Sequence, residues 1–298
     1  MDATLRVAAP AKINLYLRVT GRRSDGYHLL DSLAAFADVH DTLLLASADE
    51  LGLAVEGPFA GELGEDAGEN LVLRAARRLA EAAGVPARAR ITLVKRLPVA
   101  SGIGGGSADA AAALRGLARL WGLDVAASEL ADLALGLGAD VPVCLAGHAA
   151  FMGGIGERLE AAGPLPVAGL VLVNPRVAIS TPEVFRRRIG PFSAPAAHRR
   201  PGFRDVADLV RFLAPLGNDL AEPAIRVAPV VTEALEALGT APGCRLSRLS
   251  GSGATCFGIF DDGAAAVRAA AGIRATRPEW WTEPATLVDD VSRIDALP

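Results

Sequence analysis

Residues 98–114 read Pro-Val-Ala-Ser-Gly-Ile-Gly-Gly-Gly-Ser-Ala-Asp-Ala-Ala-Ala-Ala-Leu, with glycine at 102, 104, 105 and 106. Glycine admits positive φ and lets the backbone approach a ligand with no Cβ in the way. Successive free N–H groups in such a loop form an anion-binding concavity. The alanine-rich helix expected over about 107–121 adds its positive dipole end and unpaired N–H groups. The chemistry this suits is phosphate binding, which makes a nucleotide the leading ligand. The run lacks the Gly-Lys-Ser/Thr ending of a Walker A loop and the spacing of the dinucleotide fingerprint. The structural alternative is a loop capped by Ser107, with Asp109 in the first helical turn.

Three further segments carry reactive side chains. Pro10-Ala-Lys12-Ile-Asn14-Leu-Tyr16 alternates as a strand, so Lys12, Asn14 and Tyr16 are expected on one face. The alternative for that face is solvent contact. Gly138-Ala-Asp140-Val-Pro142 follows an expected helix end, with Gly138 in left-handed geometry. A fixed aspartate there suits a general base, or a turn and capping role. Leu249-Ser-Gly-Ser-Gly253-Ala-Thr255 is a second glycine loop leading into a strand. Lys12 and Lys95 are the only lysines, against 28 arginines. Lysine's compact ammonium reaches a reacting oxygen where the wider guanidinium does not fit.

The elements that position these residues are strands over 4–9, 12–20, 41–47, 51–56 and 89–95, and a helix opened by Glu69-Asn70-Leu71 and ended by Gly84-Val-Pro86. Beyond the glycine loop, a helix capped by Ser128 stops near 136–138, and short strands follow at 148–153 and 157–160. A second region begins near Gly163. It has strands at 170–173, 245–249, 254–260 and 286–290, helices at 205–213, 229–238 and 263–272, and an exposed loop at 193–202. Consecutive strands without intervening helices imply an α+β fold with antiparallel pairing. The 298 residues suit one large or two ordinary domains, and a 51% hydrophobic content can bury a substantial core. The net charge of −4 is not that of a nucleic-acid binder. The clusters Arg186-Arg187-Arg188 and Arg199-Arg200 are expected at the surface, with an anionic substrate as their other use. Three cysteines without metal-ligand spacing fit a reducing, cytoplasmic setting. Neither a signal peptide nor a membrane-spanning segment is expected.

These segments, in this order, resemble the three motifs of the GHMP small-molecule kinases. The pointers are Pro10–Leu15, Gly21–His28, Leu97–Ser107, Gly138–Pro142 and Leu249–Thr255. Gly-Tyr27-His28 and Gly-Ala-Asp140-Val-Pro are similar to the branch that phosphorylates a cytidine-diphosphate-linked methylerythritol on its 2-hydroxyl, a step of the non-mevalonate isoprenoid route. The resemblance implies two α/β domains, 1–162 binding ATP and 163–298 completing the kinase, with the active site in the cleft between them. It implies Asp140 as the base and Lys12 beside it, polarising the hydroxyl. It assigns the ATP phosphates to Pro98, Val99, Ala100, Ser101, Gly102, Ile103, Gly104, Gly105, Gly106, Ser107 and Ala108, with Ser107 on phosphate or Mg²⁺ carried with the nucleotide. Asn70, Leu71 and Lys95 would lie near the nucleoside. Tyr27 and Phe185 would stack on the cytosine, His28 would bond its edge, and Asn14, Ser180 and Thr181 would line the rest of the acceptor site. By sequence alone, Tyr27 also suits a hairpin and Phe185 a helix core. The implied partner is a small molecule with a cytidine diphosphate group, with no nucleic acid or membrane, for a monomer or weak homodimer. Ala108, Val143, Cys144 and Ala34 depart from residues common in that branch.

Overall fold

The computed structural model describes residues 4–63, 70–196, 202–291 and 293–297. Glu69, Arg199, Arg200 and the part of the expected loop at 193–202 that spans 197–201 lie outside the described residues. The fold is built on two long antiparallel strands, β1 (Thr4–Arg22) and β2 (His28–Ala46), joined by the turn at 23–27. On its other side β2 pairs in succession with three partners. These are β5 (Ala150–Gly154) along Leu30–Ala34, β10 (Trp281–Val288) at Phe36–Ala37, and β4 (Ala89–Val94) along Thr42–Ala46. Such a strand is covered on both faces, so its apolar residues run on instead of alternating. That is why only its end, near 41–47, was readable as a strand.

The ladders continue from β10 through β7 (Gly169–Asn174) and β9 (Cys256–Phe260) to β8 (Leu246–Leu249). β11 (Ile294–Leu297) returns to the free edge of β1, an edge the sequence reading left open. β6 (Arg158–Ala161) pairs with β5. Pairing among the described strands is antiparallel as expected, except between β3 (Leu51–Glu56) and β4, which run parallel. The last long strand occupies 281–288, displaced from the expected 286–290.

α1 (Leu71–Ala83) and α2 (Gly105–Leu120) cover one side of β1, β2 and β4. Ala110, Ala111, Ala112 and Ala113 of α2 are all fully buried, so the helix is enclosed on every side. Alanine there combines the best helix propensity with close approach. α2 starts at Gly105, two residues before the expected Ser107, and Gly104 is its cap residue. Ser107 is the third helical residue and Asp109 lies one turn in, so the serine-cap alternative fails. α3 (Ala127–Leu137) likewise starts without a side-chain cap, and Ser128 lies inside its first turn.

Short helices escaped the periodicity reading: α4 (Val141–Ala146), α5 (Thr181–Arg186) and α7 (Ala221–Val227). Each is six or seven residues long, under two turns, too short for a 3.6-residue pattern to repeat. The longer α6 (Val206–Leu213), α8 (Val230–Gly239) and α9 (Gly263–Thr276) lie where expected; α8 and α9 share one core with the C-terminal ladders and α6 shares another with β1, β7 and β9. Among the described residues no helix is long and apolar enough to cross a membrane.

Candidate active site

β1 carries the first reactive side chain. Lys12 is 2% exposed, so the solvent-facing alternative for this strand face fails. A buried ammonium must be paired and hydrogen-bonded. Lys12 Nζ donates to Asn14 Oδ1 at 2.8 Å and lies 2.9 Å from Asp140 Oδ2. The Asn14 amide is held in turn: its Nδ2 donates to Ser32 Oγ at 2.9 Å, and Ser32 donates to the Tyr16 carbonyl at 2.6 Å. Tyr16 itself leaves this face. A register shift between Asn14 and Tyr16 breaks the period of two, and its ring packs edge-on against Phe212 in the core.

Asp140 stands at the start of α4, yet its side chain makes no cap bond. Its carboxylate reaches Lys12 and remains 40% exposed, open to the cleft. Gly138 ahead of it has φ 164° and ψ 156°, extended backbone and not the expected left-handed cap. α3 and α4 are therefore separated by extended Gly138 and a turn at Ala139-Asp140, closed by the Val141 N–H donating to the Gly138 carbonyl at 3.1 Å, which brings Asp140 to Lys12.

The two glycine loops pack against each other beside this pair. A Cβ on Gly102, at φ 78°, would lie 2.5 Å from the Ser250 carbonyl oxygen and 2.7 Å from that of Gly253. Only glycine permits this approach. Ser250 Oγ donates to the Gly102 carbonyl at 3.0 Å and accepts from the Asn14 N–H at 3.2 Å. The Lys12 N–H donates to the Ile103 carbonyl at 2.9 Å. Strand and both loops are thus one bonded unit. Gly104, at φ 64°, starts α2 against the Lys12 stem, and a Cβ there would stand 3.2 Å from Lys12 Cε. The first N–H groups of α2 have no helical acceptor, and their residues Gly105, Gly106 and Ser107 line the cleft.

A second buried lysine supports the loop from below. Lys95 Nζ bonds Asp41 and lies 2.8 Å from Asp109 Oδ2. Asp41 also accepts from the N–H groups of Arg96 and Leu97, at 2.5 and 2.8 Å. Asp109 Oδ1 has no partner. Burial, against the pull of Lys95 and with a push from Asp41, raises the Asp109 carboxyl to about 7. For Lys95, burial works downward, but Asp109 and Asp41 outweigh it and its pKa is raised. With two carboxylates on one ammonium, the extra proton belongs on Asp109, which has the fewer donors.

All of this opens on a cleft of about 1370 Å³. That exceeds the ~300–1,000 Å³ usual for one drug-sized ligand, so two substrates fit. Every expected site residue lines it except Ile103 and Ala108, which are buried under the loop. Asn70 caps α1 by accepting from the Val72 N–H at 2.9 Å. Thr181 Oγ1 lies 2.7 Å from Ser252 Oγ of the second glycine loop. At the far end the His28 ring stacks on Phe185, centroids 4.7 Å apart and planes 21° from parallel. Partial burial, then the charges of Arg22 and Arg188, lower the His28 pKa and favour the neutral ring. Tyr27 is 60% exposed beside it, on the hairpin turn. Phe185 is half-buried on α5, where it lines the cleft and also packs against the C-terminal core, so its ring serves both of the expected roles.

Sequence reasoning missed Asp41, the pairing role of Asp109, and Arg22 at the cleft; Arg186 and Arg188, expected at the surface with an anionic substrate as their other use, line the cleft as well. Asp109 had a signal, as the one charge within a run of buried alanines. Asp41 had none, since its partners are 54 and more residues away.

Comparison with known proteins agrees with this geometry. The model of the GHMP kinase N-terminal domain matches residues 70–148, and that of the C-terminal domain matches 195–278. The 4-diphosphocytidyl-2-C-methyl-D-erythritol kinase of Paramagnetospirillum magneticum is 55% identical over 95% of this chain and 98% of its own length. That of Rhodospirillum rubrum is 52% identical over 97% and 94%. The crystal structure of a 4-(cytidine 5'-diphospho)-2C-methyl-D-erythritol kinase superposes with a TM-score of 0.79 at 36% identity, covering 95% of this chain and 98% of that one. A homoserine kinase from Cytophaga hutchinsonii shares the fold at 18% identity, with a TM-score of 0.71 over 100% and 98% of the two chains. The α+β fold, the paired glycine loops and the full-length likeness together make this chain a member of the GHMP kinases and, within them, of the 4-diphosphocytidyl-2-C-methyl-D-erythritol kinase family.

Proposed function

We propose that the chain transfers the γ-phosphoryl group of ATP to the 2-hydroxyl of 4-diphosphocytidyl-2-C-methyl-D-erythritol, giving the 2-phosphate and ADP in the non-mevalonate isoprenoid route. The observation that carries the chemistry is Lys12 Nζ 2.9 Å from Asp140, in the cleft lined by the N-terminus of α2. Asp140 accepts the hydroxyl proton as the oxygen bonds to the γ-phosphorus and the bond to the β-phosphate oxygen breaks. Lys12, fixed by Asn14, holds the acceptor oxygen and offsets the developing charge. Phosphoryl transfer asks mainly for alignment and charge stabilisation, and rigid groups supply both.

The phosphates rest on the N–H groups at 104–107, with Asn70, Leu71 and Lys95 toward the nucleoside. Among the described residues, no cluster of three or more His, Cys, Asp or Glu could hold a metal ion. On this reading Mg²⁺ would be carried by the nucleotide's own oxygens, with the Ser107 hydroxyl, which lines the cleft, as its protein contact. When bound, the ion neutralises phosphate charge. Tyr27, His28 and Phe185 would take the cytosine, and Ser180 and Thr181 the middle of the acceptor. The division near residue 162, a monomer or weak homodimer, and a cytoplasmic setting without nucleic-acid partners belong to the same reading. The free thiols of Cys144, Cys244 and Cys256 fit a reducing compartment.

The test is an ADP-release assay with ATP and Mg²⁺, comparing the cytidylyl alcohol with mevalonate, homoserine and galactose. Turnover with the cytidylyl alcohol alone is expected. Turnover with another acceptor instead would keep the phosphoryl-transfer chemistry and overturn the assigned substrate.

A further inference from the structure

The aromatic end of the cleft carries more positive charge than an uncharged pyrimidine requires. Arg22, Arg186 and Arg188 all line it. Arg22 stands opposite His28 in the β1–β2 register, and Arg186 follows Phe185 in α5. The cations therefore flank both walls of the aromatic slot. Arg22 and Arg186 meet no carboxylate among the described residues; the one side-chain bond of Arg22 is to the Gly26 carbonyl, at 3.2 Å. Asp25, the acid lining this end, lies 2.8 Å from Arg23 and is neutralised there.

Arg187, between the two cleft arginines, behaves differently. It pairs with Glu183 one helical turn back, at 2.7 Å. Arg188 is 9% exposed at its side chain, its Nε–H is buried without a partner, and its nearest carboxylate oxygen, on Asp219, is 4.0 Å away. Its other nitrogens donate to the carbonyls of Gly190 and Pro191, at 3.3 and 2.5 Å, and its guanidinium lies 5.1 Å over the Phe192 ring. A buried cation with an unused donor, beside two unpaired cations, in a chain of net charge −4, is built to meet an anion.

We infer that Arg22, Arg186 and Arg188 form a phosphate subsite next to the aromatic slot, which selects a pyrimidine nucleotide ester over a neutral nucleoside by holding its diphosphate. This rests on the acceptor proposed above, whose diphosphate must lie between a base in the slot and a hydroxyl at Asp140. The His28 pKa is lowered first by burial and then by the charges of Arg22 and Arg188, which places these two arginines electrostatically beside the slot. The slot supplies stacking, and the arginines supply the charge-assisted bonds that a planar guanidinium makes with phosphate.

The test is isothermal titration of the full chain with cytidine and with CDP, ADP saturating the donor site. The variants are the Arg22→Gln/Arg186→Gln pair, both at exposed positions, and separately Arg188→Gln, whose folding is checked by its melting curve. Expected is a loss of CDP affinity of about 10-fold or more in the double variant, with cytidine and ADP affinities unchanged. In turnover, KM for the cytidylyl alcohol rises while kcat holds. Equal losses for cytidine and CDP, weakened ADP binding, or no loss at all would each overturn the subsite and leave the assigned reaction standing. A wild-type chain that binds neither cytidine nor CDP, yet phosphorylates another alcohol, overturns the assigned substrate and the subsite with it.

Discussion

Lys12 and Lys95 are buried in the same cleft and both are ion-paired, which gives the scarcity of lysine a physical meaning. Each compact ammonium is buried between side-chain oxygens that it bonds directly, a place in which lysine and arginine are not interchangeable. Their tasks differ. Lys12 faces the acceptor with Asp140, whereas the ammonium of Lys95 is held by Asp41 and Asp109. We expect Asp140→Asn to lower turnover at least about 100-fold, about 2.7 kcal/mol of barrier, while ATP still binds. Steady-state rates alongside nucleotide titration check this, and near-normal turnover would remove Asp140 from the base role. Asp109 yields a pH prediction. Its folded pKa of about 7 lies above the ordinary carboxylate value, so between these the folded state holds a proton that the unfolded chain has released. Stability from this group therefore falls as pH rises through that window. Asp109→Asn should flatten the dependence of the urea midpoint on pH between about 4 and 7, and an unchanged slope would contradict the assignment.

At the scale of elements, the site is a junction of β1, two glycine loops and the first turns of α2 and α4. The Lys12 N–H and the Asn14 N–H are both donated to loop atoms, so strand and loops move together. Gly104 holds left-handed geometry directly against the Lys12 stem. Gly104→Val forces a β-branched residue into that conformation and into that contact. We expect it to abolish nucleotide binding, measured by titration with ADP, while the melting curve shows a folded chain. Unchanged affinity would mean that the phosphates do not rest on this turn. α4 illustrates a different economy: six residues and the turn at Ala139-Asp140 suffice to aim Asp140, because Lys12 completes the positioning.

On the scale of the whole molecule, the two sequence halves share strands and core. β10, from the C-terminal half, pairs with β2, and β11 closes the edge of β1. One core cluster holds Ala11, Ile13 and Leu33 together with Leu172, Phe257 and Leu287. A core common to both halves implies cooperative unfolding. Trp121 reports on the N-terminal part, through its bond to the Arg88 carbonyl at 2.8 Å, and Trp280 and Trp281 report on the C-terminal part. Urea midpoints read from Trp121 alone, in a Trp280→Phe/Trp281→Phe variant, should coincide with those from Trp280 and Trp281 in Trp121→Phe. Separate midpoints would show that the halves unfold independently.

What the sequence by itself determined is local. Glycine at 102, 104, 105 and 106 marks a backbone that must come close to something, and alternation around Lys12 and Asn14 puts both on one strand face. Long helices with clean ends, such as α1 between Asn70 and Gly84, are legible for the same reason: their signals lie within one turn of the residues they govern. Tertiary structure decided the rest. β2 was largely hidden because three partners in succession, not its own alternation, dictate its pattern. The bulge that sends Tyr16 into the core, the convergence of Asp41 and Asp109 on Lys95, and the gathering of Arg22, Arg186 and Arg188 at one end of the cleft depend on parts of the chain far apart in sequence. Electrostatic pairing is set by distance in space and burial, and neither is written in residue spacing.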